Sequence, residues 1–204
     1  EHDLEGRLVA VVDPCGQRTE ARLDALGRVV EVRLPDGATR HFRWDAYDQP
    51  TRVVDENEAV TEWRYQACGL LTDVVRPTGG RLRFDWSSIP GQLIGVVNER
   101  GERWQLTYDA AGHLVREKDF AGRQTSYRCD KDGQVAEVVD AAGQRTVVRR
   151  DASGAVTDVE HDGDEQSGAQ YAYDARGLLV KAANATCVVE RSYDAVGRLV
   201  RAAR

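Results

Sequence analysis

Tyr193-Asp194-Ala195-Val196-Gly197-Arg198-Leu199 is the stretch whose reading decides the fold. An aspartate followed three positions later by glycine suits a type I turn. The carboxylate at the first position accepts from backbone amides, and glycine at the fourth tolerates positive φ. The same signal stands at Tyr108-Asp109-Ala110-Ala111-Gly112 and Tyr173-Asp174-Ala175-Arg176-Gly177, with weaker copies back to the N-terminus. With the glycine as marker the series runs Gly6, Gly27, Asp48 in place of glycine, Gly69, Gly91, Gly112, Gly133, Gly154, Gly177 and Gly197, at gaps of 20 to 23 residues, most of them 21. So regular a period specifies an array of about ten repeats rather than a fold built around one catalytic centre.

Within each repeat the pattern is that of a β-hairpin. Two positions past the marker stand apolar residues such as Leu8, Val29, Leu71, Leu114 and Leu199, followed by β-branched residues at alternate positions, as in Val30 and Val32. These runs favour strands and are too short for helices. A second turn falls ten positions after most markers, at Gly16, Gly37, Gly79, Gly101, Gly122 and Gly143. The pairs Asp24 with Gly27, Asp109 with Gly112, Asp130 with Gly133, Asp151 with Gly154, Asp174 with Gly177 and Asp194 with Gly197 suit a three-residue hairpin loop closed by a G1 bulge. The tyrosines before the aspartates, Tyr108, Tyr173 and Tyr193, are expected to pack their rings against the next unit and leave their hydroxyls in water. Asp48, Gln66 and the 88–91 stretch depart from the pattern and predict looser or differently shaped turns.

One hairpin is not stable alone in water, so the units must stack side by side. The fold class is therefore all-β: an array of about ten hairpin repeats in a long antiparallel sheet that must twist and coil. About 20 strands at about 4.8 Å spacing would span on the order of 95 Å. Residues 1–204 read as a single array, and both ends read as cut from a longer one.

Composition excludes several classes of function. Hydrophobic residues make up 41% and charged residues 30% of the chain, with no apolar run of about 20 residues, which argues against a membrane span. A net charge of −6 and a pI near 5.3 argue against a nucleic-acid partner, although arginine often follows the turn glycine, as at Arg7, Arg28, Arg81, Arg123 and Arg198. Those arginines read as a solvated rim pairing with turn aspartates. Cys15, Cys68, Cys129 and Cys187 lack metal or redox spacing, and their scarcity fits folding in a reducing cytoplasm. His2, His41, His113 and His161 fall at different offsets in different units, so no two are expected to converge on a ligand, and His113 reads as solvent-facing. The aspartates are accounted for by turns, which leaves no catalytic pair. Asp13-Pro14 fits a mid-unit turn with proline at its second position. Neither a catalytic site, a cofactor nor a metal is expected.

The recurrence of tyrosine, aspartate, two residues, glycine, arginine and leucine resembles the Rhs or YD-repeat family over essentially the whole chain. Residues 193–199 reproduce the family's core motif, and Asp119-Phe120-Ala121-Gly122-Arg123-Gln124-Thr125-Ser126-Tyr127 is similar to its second half-unit. Members are bacterial polymorphic toxins, insecticidal toxin-complex subunits and animal teneurins, in which the repeats form a spiralling sheet that closes into a hollow shell. The resemblance implies a non-catalytic wall segment that encloses a C-terminal toxin until delivery by a type VI or related apparatus. It implies as partners the rest of the shell, the toxin, and secretion-apparatus components or a chaperone, and a stay in the bacterial cytoplasm before export. Asp13-Pro14 lacks the glycine context of the family's self-cleaving segment, so that activity is not carried over. The alternative is an extracellular adhesion or carbohydrate-binding module, which predicts Trp44, Trp63, Trp86 and Trp104 exposed on one face. The shell reading predicts most of them buried between strands or lining an interior. The irregular stretch 161–168 reads as an elongated, mobile turn that faces a partner.

Overall fold

The computed structural model describes residues 1–163 and 167–203. Part of the 161–168 stretch, residues 164–166, lies outside them, and with it the expectation of an elongated turn. Among the described residues the secondary structure consists of nineteen β-strands with no helix, and so no helix long and apolar enough to cross a membrane.

The chain divides into two compact units, Glu1–Arg103 and Trp104–Arg204. The first carries β1 (Ala10–Val12), β2 (Arg18–Leu23), β3 (Val29–Arg33), β4 (Thr39–Trp44), β5 (Pro50–Val54), β6 (Val60–Tyr65), β7 (Leu71–Val75), β8 (Arg81–Trp86) and β9 (Leu93–Val97). The second carries β10 (Arg103–Tyr108, whose first residue closes the first unit), β11 (Leu114–Lys118), β12 (Gln124–Cys129), β13 (Val135–Val139), β14 (Arg145–Arg150), β15 (Val156–His161), β16 (Ala169–Tyr173), β17 (Leu179–Ala183), β18 (Val188–Tyr193) and β19 (Leu199–Ala203). Within each unit every strand pairs antiparallel with the next in sequence, the all-β hairpin array that the repeat period implies.

Two kinds of ladder alternate. Hairpins closed by the Asp-x-x-Gly turn carry a register shift beside the turn: Arg22 opposes Glu31 but Leu23 opposes Val29, so one residue of β3 is skipped. The same shift recurs at Arg43/Trp44, Arg64/Tyr65, Arg128/Cys129 and Ser192/Tyr193. Such a bulge bends the strand and raises its twist. Ladders closed by the mid-unit turn are short, as in β3 with β4, where pairing runs from Arg33↔Thr39 only to Glu31↔His41. Beyond that point, toward the aspartate turns, neighbouring hairpins part.

Directly opposed residues share a face of the sheet. Ala21 with Val32, Phe42 with Val53, Trp63 with Val74 and Phe84 with Val96 give the first unit an apolar face. Tyr127 with Val138, Val148 with Val159 and Tyr171 with Ala182 do so in the second. The other face is charged, with Arg22 opposite Glu31, Arg64 opposite Asp73, Arg128 opposite Glu137 and Arg149 opposite Asp158. Each unit is thus one layer thick, and among the described residues no side chain is fully withdrawn from water. Asp73 is buried because Arg81 closes over it with Nε at 2.7 Å and Nη2 at 2.6 Å. Gly95 is buried beneath Arg103, whose guanidinium crosses it to reach Asp85 at 2.5 Å. A Cβ on Gly95 would stand 2.7 Å from Arg103 Nη2, so the absence of a side chain admits the bridge.

Candidate functional site

The residues singled out by the repeat lie along the row of aspartate turns. Asp24 Oδ1 accepts from the amides of Leu26 at 2.9 Å and Arg28 at 3.0 Å, while Gly27 N donates to Asp24 O at 3.0 Å and Asp24 N to Arg28 O at 2.9 Å. Asp109, Asp130, Asp151, Asp174 and Asp194 each take the corresponding two amides. Gly27, Gly112, Gly133, Gly154, Gly177 and Gly197 all lie at φ between 78° and 89°. Two departures expected to loosen their turns do not. Asp48 adopts φ 61° while Asp45 still holds the amides of Tyr47 and Gln49, and Gln66 closes on Leu70 and Gly69 through its backbone. In the first case the aspartate at the head of the turn supplies enough acceptors to hold a left-handed residue. The third does change shape: Ser87 N donates to Gln92 O, one residue further on.

The position before the aspartate does more than pack. The tyrosine hydroxyls are not left in water: Tyr65 donates to Pro50 O at 2.9 Å, Tyr173 to Val156 O at 2.9 Å and Tyr193 to Leu179 O at 2.8 Å. Trp44 and Trp86 fill the same position and donate from Nε1 to Val29 O and Leu71 O, each at 2.7 Å, and Arg150 donates to Val135 O at 2.7 Å. Each carbonyl belongs to the residue two past the preceding marker, where neighbouring hairpins have parted and the backbone ladder has ended. The side chain therefore satisfies an acceptor that the splay strands. Three chemically different side chains thus serve as the donor at this position, which Leu23 and Cys129 fill in two other repeats.

At two markers the following residue reaches onward to the next turn. Arg28 Nε donates to Asp24 Oδ2 at 2.8 Å, and its Nη1 donates to Asp45 O at 2.7 Å and Asp48 Oδ1 at 2.9 Å, so one guanidinium ties two turns together and is only 20% exposed. Gln49 Nε2 donates to Gly69 O at 2.9 Å, and Arg176 Nη1, from one position before its marker, to Asp194 O at 2.8 Å. His113, expected in solvent, is half-buried: it contacts Asp109 Oδ2 at 3.2 Å, and its Nε2 stands 2.7 Å from where a Cβ on Gly133 would be. The arginines expected to form a solvated rim, Arg7, Arg123 and Arg198, do pair with Asp3, Asp119 and Asp194 at 2.7 Å. The turn-to-turn role of Arg28 has no signal within its own repeat.

The electrostatics of the turns and of the charged face make stability acid-sensitive. The backbone amide of Arg198, and then its guanidinium, hold Asp194 below the usual carboxylate range; the amide of Leu178 does this for Asp174 and that of His113 for Asp109. On the charged face Arg145 and then Arg128 bring Glu137 down to about 2. A carboxylate whose folded value is depressed contributes stability that is fully present above its ordinary value, 3.8 for aspartate and 4.5 for glutamate, and is lost as pH falls through the folded value. The urea midpoint should therefore hold steady down to pH 4.5 and fall progressively toward pH 2. A midpoint that rose on acidification would show that these carboxylates repel one another more than they bind.

Among the described residues no constellation of chemistry-bearing groups converges. Among the described residues no group of three or more His, Cys, Asp or Glu is placed to hold a metal, and the four cysteines are free. Tyr127, pushed up to about 12 by burial and by its 2.6 Å bond to Glu117, is a fixed donor rather than a titrating group. Trp44, Trp63 and Trp86 are half-buried, while Trp104 is 37% exposed and meets Phe120 edge-on at 6.0 Å.

Comparison with known proteins gives concordant results. Residues 88–203 match the family model described as teneurin YD-shell, and residues 2–39, 24–57 and 44–81 match RHS repeat. The chain is 29% identical over 150 residues to a probable deoxyribonuclease RhsB of Dickeya dadantii, covering 62% of this chain and 10% of that protein. It is 34% identical over 127 residues to toxin protein Tse5 of Pseudomonas aeruginosa, covering 60% and 10%. It therefore spans about a tenth of the length of the curated relatives it matches. Among solved structures, TcdB2-TccC3-TEV superposes with a TM-score of 0.76 at 15% identity over 98% of this chain and 12% of that one. The Photorhabdus luminescens Tc holotoxin pore gives 0.62 at 16% over 98% and 14%. At such identity the likeness is one of fold.

Proposed function

This chain belongs to the YD-shell family of Rhs-type repeats, and on that premise we propose that it is one stretch of a longer shell wall that encloses a C-terminal toxin polypeptide until delivery, without catalysis of its own. The observation that carries the reading is the single-layer construction. Paired strands supply backbone hydrogen bonding, the aspartate turns are tied by Arg28 and Gln49, and donors before the turns, such as Trp86 and Tyr193, bind their hairpins to the preceding ones. That construction suits a wall, which must fold independently of its contents and resist parting between repeats. Its partners are then the remaining shell, the enclosed polypeptide, and an export apparatus or chaperone. The setting is the bacterial cytoplasm before type VI or related delivery to a competitor.

Cryo-electron microscopy of the full-length protein, with limited proteolysis, tests this. Density for a C-terminal polypeptide inside a closed wall of these repeats, protected from protease until the wall is unfolded, is the expected result. An open sheet with both faces in solvent and an unprotected C-terminal region would overturn it. Glycan binding through the exposed Trp104 would then favour the adhesion reading.

A further inference from the structure

On the charged face four hairpins share a rule at the strand position nearest the bulge, an arginine on one strand opposing an acid on the other, as Arg64 opposes Asp73. Arg22 meets Glu31 at 3.0 Å, Arg128 meets Glu137 at 2.6 Å and Arg149 meets Asp158 at 3.5 Å. In four other hairpins at least one of the two residues is uncharged, as Thr107 opposite Arg116 and Ala172 opposite Lys181, but in the β4–β5 hairpin Arg52 stands where the acid would be and directly opposes Arg43. Like charges placed so destabilise a sheet. Neighbouring acids compensate only in part: Glu62, opposite Arg52 on β6, reaches its Nη1 at 3.7 Å, while Glu31 is taken by Arg22 and Asp73 by Arg81. Arg64, on the next strand and diagonal to Arg52, opposes that same Asp73. Arg52 Nε is, besides, a buried side-chain donor with no acceptor among the described residues. Arg43 and Arg64 are exposed.

We propose that Arg43, Arg52 and Arg64 form a docking surface for the carboxylate side chains of an acidic polypeptide segment. Carboxylate rather than phosphate is the matching chemistry, because in the repeats that keep the rule the space beside the arginine is filled by Glu31, Glu137 or Asp158. The guanidinium fork suits a carboxylate in two-point contact. The surface does not depend on the shell reading, since any acidic partner on this face would satisfy it.

The test uses fluorescence anisotropy of the full-length protein with a labelled peptide of alternating glutamate and serine, at low and moderate salt. Binding is expected to weaken with salt, and Arg52→Glu, which restores the rule, should bind about ten-fold more weakly while melting no lower than the parent. Arg43→Gln should weaken binding in the same direction, and Arg22→Gln, whose arginine already has Glu31, should leave it unchanged. Parent-like binding by both Arg52→Glu and Arg43→Gln overturns the proposal. So does equal competition by a phosphoserine peptide or by single-stranded DNA, which would mark a general anion surface. If Arg52→Glu melts lower, the charge rule is wrong as stated, and Arg43→Gln alone decides whether the docking surface stands.

Discussion

Trp86→Ala is expected to destabilise the protein by ~2–3 kcal/mol, measured as a shift of the urea midpoint at neutral pH. The indole is half-buried at the end of β8, opposite Leu93, and donates from Nε1 to Leu71 O at 2.7 Å. Alanine removes both the apolar area and the donor, and the Leu71 carbonyl loses its partner where the backbone ladder has already ended. The two contributions separate with further variants. Trp86→Phe keeps an aromatic ring and should cost about 1 kcal/mol, the net worth of a hydrogen bond whose acceptor is then unpaired. Trp86→Tyr should fall closer to the parent than Phe does, because tyrosine fills the same position at Tyr65, Tyr173 and Tyr193 and reaches the equivalent carbonyls at 2.8 to 2.9 Å. If Phe and Tyr behave alike, the donor contributes nothing, and the position is one of aromatic packing alone.

That position also marks where reading the chain as a sequence stops. The hairpin array was legible because turn chemistry is local: Asp194 and Gly197 are three residues apart, and neither needs a distant partner to specify a type I turn. The tyrosine hydroxyl was read as wet because its acceptor is a backbone carbonyl 14 to 17 residues earlier, which no side-chain pattern announces. Trp44, Trp86 and Arg150 hid it further, since tryptophan and arginine serve as the same kind of donor as tyrosine. Asp48 misled in the opposite direction. The missing glycine suggested a loose turn, yet Asp45 at its head and Arg28 from the preceding turn hold it closed. Where the determinant lies inside one turn the sequence is sufficient, and where it lies between repeats only the register reveals it. The opposition of Arg43 and Arg52 belongs to the second kind, since each arginine is unremarked within its own strand.

The contact between repeats can be isolated at Gly133, where substitution by valine is expected to cost about 2–3 kcal/mol in the urea midpoint. Most of that cost is conformational, because the residue lies at φ 78° and a β-branched side chain is poorly accommodated in the left-handed region. The remainder comes from the preceding turn. A Cβ here would stand 2.7 Å from His113 Nε2, so the imidazole must swing aside and give up its place over the glycine. Gly112 provides the control. It lies at φ 89° with nothing within 4 Å of its would-be Cβ, so Gly112→Val should carry the conformational cost alone. In a His113→Ala background the penalty at Gly133 should shrink by ~0.5 kcal/mol or more, which a double-mutant cycle resolves. Gly133→Asn should be milder than valine throughout, since asparagine enters the left-handed region more readily. Equal penalties at Gly112 and Gly133, unchanged by His113→Ala, would mean that each turn folds as an independent module and that the row of turns owes its order to the strands alone.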